Sequence, residues 1–268
     1  MDLSFKYRFT GKRLNKNMLV SIISFLFKLL MIVIFAFPFY WMLISSVKTY
    51  YETIQFPPTL WPKSFEWENF VTVWESGPYL MYTKNSIVIT FSILVLQSFV
   101  MIPASYAFAV YDFKFKNSLF ALVLLAFMIP TQITFITTYI MFADWNLLKT
   151  LWPQILPFGA NAFGIFMLRQ AFMQLPTEIL DSARIDNAKE YQIAFRIFLP
   201  MCKPVFIAIT MFSFISHWNS YFWPLVMTNS DIVRPLTIAI AGLRDIETGS
   251  PWHLIMAGNV ILVLPIII

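Results

Sequence analysis

Residues 175–204 read LPTEILDSARIDNAKEYQIAFRIFLPMCKP, and this polar stretch lies between two long apolar segments. A lipid bilayer does not tolerate its density of charge, because each charged side chain would cost about 2.5 to 3.5 kcal/mol at the bilayer centre. We therefore expect the stretch to lie in water. Its charged residues include Arg184, Asp186, Lys189, Glu190 and Arg196.

The periodicity of this stretch predicts two short helices joined by a tight turn. Ile179 and Ala183 share one face of the first helix, with Leu180 beside them. Asn187 is suited to end that helix, because its short amide side chain tolerates the left-handed backbone conformation of a sharp reversal. The second helix is predicted from the helical spacing of Tyr191, Phe195 and Phe198.

The composition of the whole chain indicates an integral membrane protein. The 268 residues are 59% hydrophobic and 12% charged, whereas about a quarter of the residues of a soluble domain are charged. Although the net charge of +5 would suggest nucleic acid as a partner of a soluble protein, membrane topology explains the basic residues better. We therefore predict no nucleic-acid partner. The lone Cys202 excludes an internal disulfide framework and a cysteine zinc site.

The apolar runs predict six membrane-spanning helices. The third and fourth runs are close to the 17 to 25 residues that a crossing needs, the first span lies within residues 18–46, and the sixth is expected to be incomplete at Ile268. The predicted spans are residues 18–46, 85–110, 118–141, 151–168, 205–227 and 252–268.

The distribution of Lys and Arg predicts the orientation. Six spans put the tail at residues 1–17 on the same side of the membrane as the connection between spans two and three and the polar loop at 173–204. These three segments carry more Lys and Arg than the connections on the opposite side. The positive-inside rule therefore puts the N-terminus and the polar loop in the cytoplasm of a multi-pass protein of the cell membrane. The expected organisation is a cytoplasmic tail at 1–17 followed by one transmembrane domain at 18–268.

The polar loop resembles the EAA motif of binding-protein-dependent ATP-binding cassette importers. The usual pattern is P-x-E-L-x-E-A-A-x-x-D-G-A, followed by a second helix that ends in L-P-x-x-x-P. Asp181 and Ser182 stand here for the Glu-Ala pair, and Asn187 stands for the Gly. The residues in register with the pattern are Pro176, Glu178, Ala183, Asp186, Ala188, Leu199, Pro200 and Pro204. Composition alone would also fit an ordinary amphipathic loop on the membrane surface.

The resemblance implies an all-helical permease of the type I fold, whose cytoplasmic loop transmits motion from an ATPase. It also implies the partners: a second homologous permease, an ATPase dimer, an extracytoplasmic solute-binding protein and membrane lipid. ATP and Mg would be bound by the ATPase subunits, and no cofactor by this chain. The residues implied in coupling to the ATPase are Glu178, Asp181, Ser182, Ala183, Asp186 and Asn187.

The chain lacks the sequence features of a motor or of an ion-driven carrier. It has no GxxxxGK[ST] phosphate-binding loop, and none of its Asp or Glu residues falls in the first five predicted spans. An intramembrane enzyme would need a cluster of His, Asp or Glu at bilayer depth, but only His217 and His253 are present. We therefore expect a transport subunit without catalytic residues, a metal site or an ATPase site of its own.

The fifth predicted span contains the polar segment SFISHWNSYFWPL at residues 213–225. Its Trp, Asn, Pro and Leu resemble the W-N-x-x-x-x-P-L pattern of sugar-type permeases. The candidate residues of a translocation path are Ser213, His217, Asn219 and Ser220. Hydrogen bonding between helices is the alternative role for these side chains.

The resemblance to maltose-type permeases extends from about Pro38 to Pro265 and includes NSIVI at Asn85, PASYAFA at Pro103, FMIPTQ at Phe127 and FGIFMLRQ at Phe163. It implies import of a sugar or an oligosaccharide by alternating access. Glycerol phosphate or another small polar solute, such as an amino-acid-like compound, remains the alternative substrate.

Overall fold

The structure, a computed structural model, describes residues 11–244 and 250–267. The predicted N-terminal tail at 1–17 therefore lies partly outside the described residues, as does Ile268 at the end of the predicted sixth span. Within the described ranges all regular secondary structure is helical, as expected. The chain divides into two compact units, Met1–Val73 with Ile246–Leu264 and Trp74–Asp245 with Pro265–Ile268.

The first unit contains the long helix α1 (Gly11–Ser46), the short helix α2 (Tyr50–Ile54) and most of α3 (Glu68–Glu75) and α15 (Trp252–Ile267). Between Val20 and Phe39 the apolar side chains of α1 are almost all exposed. A 27-residue apolar helix with exposed side chains has the surface that lipid requires. The end of α1 agrees with the predicted end of the first span at residue 46.

A cluster of polar side chains binds the backbone that follows α1. Asn69 donates hydrogen bonds from Nδ2 to the carbonyl oxygens of Ser46 and Lys48, both at 2.9 Å. The ammonium group of the buried Lys48 lies 4.7 Å from the ring centre of Trp41 and donates to the carbonyl of Thr59. Burial lowers the pKa of Lys48. The cluster supplies the hydrogen bonds that the buried backbone after α1 requires.

The second unit is built around α4. Its helices are α4 (Tyr79–Val110), α5 (Lys116–Met128), α6 (Thr131–Asp144), α7 (Trp152–Ile155), α8 (Ala162–Phe172), α9 (Thr177–Ile185), α10 (Glu190–Gln192), α11 (Leu199–Met201), α12 (Lys203–Trp218), α13 (Phe222–Met227) and α14 (Leu236–Ala241). Residues Ile193–Phe198 form a π-helical segment that joins α10 to α11. Helix α4 begins six residues before the predicted start of the second span at residue 85.

Helices α4, α8 and α12 pack closely because Gly164 in α8 has no side chain. A Cβ atom at this position would lie 2.3 Å from Sδ of Met101 in α4 and 3.1 Å from Cγ2 of Ile209 in α12. The first distance is shorter than real Cβ contacts, and the second would require Ile209 to move by a few tenths of an ångström. Small residues allow close backbone approach between membrane helices, and Gly164 serves that purpose here.

Three predicted spans are interrupted in the structure. The third, predicted at 118–141, is two helices, α5 and α6, that meet at an angle of 91°. Pro130 explains this break, because proline has no N–H and disfavours helical geometry at the residue before it. Ile129 is accordingly extended, with φ −78° and ψ 116°.

The fourth and fifth predicted spans, at 151–168 and 205–227, also contain breaks. The fourth consists of α7, a 3₁₀ turn at Leu156–Phe158 and the start of α8. The fifth is interrupted between α12 and α13, at residues 219–221. The expectation of one continuous helix for each of these spans was wrong, because apolar composition does not reveal a local break in a helix.

By length and composition, two of the described helices are able to cross a membrane, Val20–Ser46 and Tyr79–Val110. The number rises to four if each of two bent pairs is one span, α5 with α6 and Glu190–Met201 with α12. The six-span topology therefore stays a prediction.

Candidate functional site

The polar loop folds as the two helices and the turn that its sequence predicts. Asn187 lies between α9 and α10 with a φ of 56°, the left-handed conformation expected for it. The N–H of Ala188 donates to the carbonyl of Ala183, and the N–H of Asn187 donates to that of Arg184, both at 3.0 Å. These two bonds define a Schellman motif, in which a left-handed residue satisfies the last carbonyls of a helix.

The apolar face of the loop packs against the chain itself. Buried residues of α9 and of the π-helical segment form one core cluster with residues of α4 and α8. Tyr106 of α4 contacts Phe198 with a distance of 5.3 Å between ring centres, and Phe172 of α8 contacts Phe198 at 5.5 Å. The loop is therefore fixed to these two helices. Its buried members are Ala183, Ile193, Ala194, Phe198 and Cys202.

Most of the predicted coupling residues lie on the opposite, exposed side of α9 and its turn. The exposed residues are Glu178, Asp181, Ser182, Asp186 and Asn187. Ala183 differs from them, because it is only 6% exposed and belongs to the core of the chain. Its predicted place near a contact with another subunit stays a prediction, and in this structure its methyl group packs inside the chain.

Ile185 is a residue of this surface that sequence reasoning missed. It is 78% exposed at the end of α9, next to Asp181 and Ser182 on the outward side. It adds one exposed aliphatic side chain to the outward side of the polar loop. Ile185 does not lie on the helix face that Ile179 and Ala183 share, and this spacing could have predicted its exposure from the sequence.

Glu190 connects the loop to the end of α4. Its Oε1 accepts a hydrogen bond from Nε of Arg184 at 3.0 Å, and its Oε2 accepts one from the phenol of Tyr106. Partial burial by itself would raise the pKa of Glu190, but hydrogen bonds from Tyr106, Arg184 and Tyr111 outweigh it and hold the pKa below its usual value. The carboxylate thus joins α9, α10 and α4 as an anion.

The second unit has an open cavity of about 730 Å³ at the breaks of the three interrupted spans. Ile129 and Thr131, on either side of Pro130, line the cavity. Phe158 and Ala160, in the turn before α8, and Ser220, between α12 and α13, also line it. Irregular backbone at membrane depth is tolerated where it lines such a cavity. The polar side chains in the lining are Gln97, Thr131, Gln132, Asn161, Ser216, His217 and Ser220.

The rest of the lining is apolar and partly aromatic, with Phe127, Phe158, Phe222 and Trp223 among its members. Among the residues that the structure describes, no Asp, Glu, Lys or Arg lines this cavity. The described part of the chain also contains no cluster of His, Cys, Asp and Glu that would hold a metal ion. The cavity thus offers neutral hydrogen-bonding groups beside aromatic faces.

Gln97 is the central polar residue of the cavity wall. It is buried in α4, where Nε2 donates to the carbonyl of Phe158 at 2.9 Å and Oε1 accepts from Oγ of Ser213 at 2.6 Å. The carbonyl of Phe158 lies at the break before α8, so Gln97 satisfies a backbone group that an unbroken helix would pair internally. Sequence reasoning missed Gln97, although an amide in the apolar run at 85–110 was a visible signal.

The four predicted path residues have different positions. His217 and Ser220 line the cavity, and Ser213 is buried behind it against Gln97. Asn219 is exposed and donates from Nδ2 to the carbonyl of Ile215 in its own helix. The structure therefore brings three of the four together and leaves Asn219 apart.

Comparison with known proteins identifies the class to which this fold and site belong. Residues 101–268 match the family described as the binding-protein-dependent transport system inner membrane component. The chain belongs to this family, as the resemblance of the polar loop implied. It is a membrane permease of the ATP-binding cassette importers.

Two relatives are similar along most of their length. The chain is 31% identical over 246 residues to the arabinooligosaccharides transport system permease protein AraQ of Bacillus subtilis, covering 91% of this chain and 87% of that protein. It is also 31% identical over 244 residues to the sn-glycerol-3-phosphate transport system permease protein UgpE of Yersinia pestis, covering 87% and 86%.

A solved structure has the same fold. A chain of a bacterial ABC transporter involved in the import of the acidic polysaccharide alginate aligns with a TM-score of 0.81 at 20% identity. The alignment covers 99% of this chain and 96% of that one. At this identity the likeness concerns the fold alone.

Proposed function

We propose that this chain is the permease subunit of an importer for a sugar or an oligosaccharide. The observation that carries the proposal is the lining of the cavity, in which neutral amides, hydroxyls and an imidazole lie beside the rings of Phe158 and Trp223. Sugars present hydroxyl groups for hydrogen bonds and C–H faces for aromatic rings. The name of the arabinooligosaccharide relative supports the same substrate class.

Glycerol phosphate is the second candidate, because a relative of equal identity is named for its transport. A phosphate is best bound by Arg, Lys or helix N-termini. The described cavity lining offers no cationic side chain, which favours the uncharged sugar over the phosphate ester.

In the proposed mechanism, an ATPase dimer drives the permease through the polar loop. The exposed side of α9, with Asp181, Ser182 and Ile185, is the surface proposed to contact one ATPase subunit. The buried side is fixed to α4 and α8 by the core cluster and by Glu190. Motion of α9 would thereby move the helices that line the cavity and open it alternately to the two sides of the membrane.

The proposed assembly also contains a second homologous permease and an extracytoplasmic solute-binding protein. A solved relative of this fold was crystallised with an alginate pentasaccharide-bound periplasmic protein. The proposed topology in the cell membrane has six spans, with the N-terminal tail at 1–17 and the loop at 173–204 in the cytoplasm. ATP and Mg are assigned to the ATPase subunits.

The test is purification of the complex from its native membrane, followed by identification of the binding protein and its ligand. The complex is then reconstituted in liposomes, and ATP-dependent uptake of arabinotriose and of sn-glycerol 3-phosphate is compared. Uptake of the sugar without the phosphate ester is the expected result. Preferential uptake of sn-glycerol 3-phosphate would reverse the choice, and ATP hydrolysis by the permease chain alone would contradict its role as a subunit without a motor.

A further inference from the structure

The side-chain amide of Gln97 has only one orientation that fits its surroundings. The carbonyl oxygen of Phe158 can only accept, so the Gln97 atom that lies 2.9 Å from it must be the nitrogen. The amide oxygen then faces the hydroxyl of Ser213 at 2.6 Å and accepts a hydrogen bond from it. The amide nitrogen has a second hydrogen, and Nε2 of His217 lies 3.4 Å from that nitrogen.

This orientation decides the protonation of His217. An imidazolium would direct its own N–H at the N–H of Gln97, and so would the neutral form that carries its proton on Nε2. Only the neutral form with the proton on Nδ1 places an acceptor opposite the Gln97 donor. We infer that Gln97 holds His217 as a neutral imidazole whose Nδ1–H is a hydrogen-bond donor for a solute in the cavity.

The position of His217 fits this role. Its ring lies beside that of Phe158, with 4.9 Å between the ring centres, and the residue lines the cavity. Within the described residues Nδ1 of His217 has no hydrogen-bond partner. This atom is not fully buried. No acceptor in the part of the chain that the structure describes competes for this N–H, so it is available to a solute that reaches the ring.

The chemistry of this donor indicates the kind of solute. A hydroxyl oxygen accepts a hydrogen bond from a neutral N–H, and the adjacent Phe158 ring accommodates the C–H groups of the same molecule. A phosphate or carboxylate would be bound far better by an imidazolium, which Gln97 disfavours. The inference rests on the proposed function and deepens it: the solute is an uncharged polyhydroxylated molecule, Nδ1 of His217 contacts it, and Gln97 is a positioning residue.

The protonation of His217 can be measured without transport. The chain contains two histidines, so ¹⁵N-histidine labelling of this chain alone, assembled with unlabelled partner subunits in nanodiscs and with His253→Gln to assign the signals, isolates His217. We expect a protonated Nδ1 and an unprotonated Nε2 in the wild type. Gln97→Glu reverses the preference, because a carboxylate accepts from Nε2–H, and Gln97→Leu abolishes it. A wild-type imidazolium, a wild-type proton on Nε2, or an unchanged spectrum in both variants would overturn the inference.

The solute contact is tested by ATP-dependent uptake of arabinotriose and sn-glycerol 3-phosphate into proteoliposomes. Loss of one neutral hydrogen bond predicts roughly tenfold slower sugar uptake at low concentration for His217→Phe and Gln97→Leu. Ser98→Ala is the matched control, since the hydroxyl of Ser98 donates to Leu94 in its own helix, α4. Unchanged sugar uptake in both cavity variants, or His217-dependent uptake of the phosphate ester, would overturn the assignment. If the wild type imports neither probe, the choice between these two solute classes fails, while the histidine spectrum still decides whether Gln97 fixes the tautomer of His217.

Discussion

The phenol of Tyr106 in α4 donates a hydrogen bond to the carboxylate of Glu190 in α10, and the same carboxylate pairs with Arg184 of α9. One anion therefore joins three helices, two of which belong to the polar loop. The side chains of Arg184 and Glu190 are 41% and 42% exposed, so solvent screens their attraction, and the ion pair itself contributes at most about 1 kcal/mol. The hydrogen bond from the buried Tyr106 holds the carboxylate in place.

The first prediction concerns the pH dependence of stability. The pKa of Glu190 is lowered in the folded protein. Its contribution to the stability of the fold is therefore fully present at a pH above the ordinary pKa of a glutamate, and it is lost as the pH falls through the lowered pKa. Glu190→Gln should reduce stability near neutral pH and remove this part of the acid sensitivity. Thermal unfolding of the purified complex measures both effects. Glu75→Gln, at an exposed position outside the cluster, should keep the wild-type pH profile, and an equal profile in Glu190→Gln would contradict the prediction.

The second prediction concerns the turn at Asn187. Its φ of 56° is accessible to Gly without steric cost, but it is unfavourable for a β-branched residue. Asn187→Gly should keep uptake and ATP hydrolysis, whereas Asn187→Val should cost about 1 to 2 kcal/mol and tilt α10 relative to α9. Both variants are compared in the assembled complex at matched expression. Equal activity of the two would mean that the turn does not transmit motion.

The turn illustrates what the sequence predicts well. A short polar residue at the end of an amphipathic helix specifies a left-handed turn through local chemistry alone, and Asn187 adopts that turn. It was harder to predict from the sequence which side of α9 packs against the rest of the chain and which side is exposed. The apolar face with Ala183 packs on α4 and α8, which are distant in sequence, while Ile185 is exposed.

The interrupted spans show the other limit of the sequence. Hydrophobic content identifies a segment that belongs in the membrane, but it does not distinguish a straight helix from one that breaks beside a cavity. Pro130 marked one such break, at 91°. The role of Gln97 depends on the backbone of Phe158, 61 residues away, and no local pattern predicts such a contact.

The third prediction tests the close packing at Gly164. An alanine methyl group would lie 2.3 Å from Sδ of Met101, which is 2% exposed and has little room to move. Gly164→Ala should therefore destabilise the chain by about 1 to 3 kcal/mol. Thermal unfolding in detergent measures the loss, and the cost of the double variant with Met101→Ala, which removes the clashing sulfur, should be smaller than the sum of the two single costs.

Gly159 provides the control for this prediction. A methyl group there would meet the carbonyl oxygen of Leu156 at 3.4 Å and Cβ of Leu96 at 3.6 Å, which are ordinary contacts. Gly159→Ala should leave the unfolding temperature close to that of the wild type. If Gly164→Ala is equally harmless, α4 and α8 have more freedom to separate than the structure indicates.

The last prediction compares the two sides of α9. Ile185 is 78% exposed and Ala183 is 6% exposed, although they are only two residues apart. If the exposed side contacts the ATPase, Ile185→Asp should lose the burial of an aliphatic side chain, about 1.5 to 3 kcal/mol, and place a charge in the contact. We expect solute-stimulated ATP hydrolysis and uptake to fall about tenfold or more, with the thermal stability of the isolated permease unchanged.

Ala183→Leu should have the opposite pattern, because the added atoms enter the core of the chain itself. Overpacking there should lower the thermal stability of the permease by about 1 to 3 kcal/mol, even before an ATPase is present. Thermal unfolding of the isolated permease, together with ATPase pull-down and ATP hydrolysis in the complex, separates the two effects. Full coupling in Ile185→Asp, combined with a stable but uncoupled Ala183→Leu, would show that the side of α9 that is buried here is the one that contacts the ATPase.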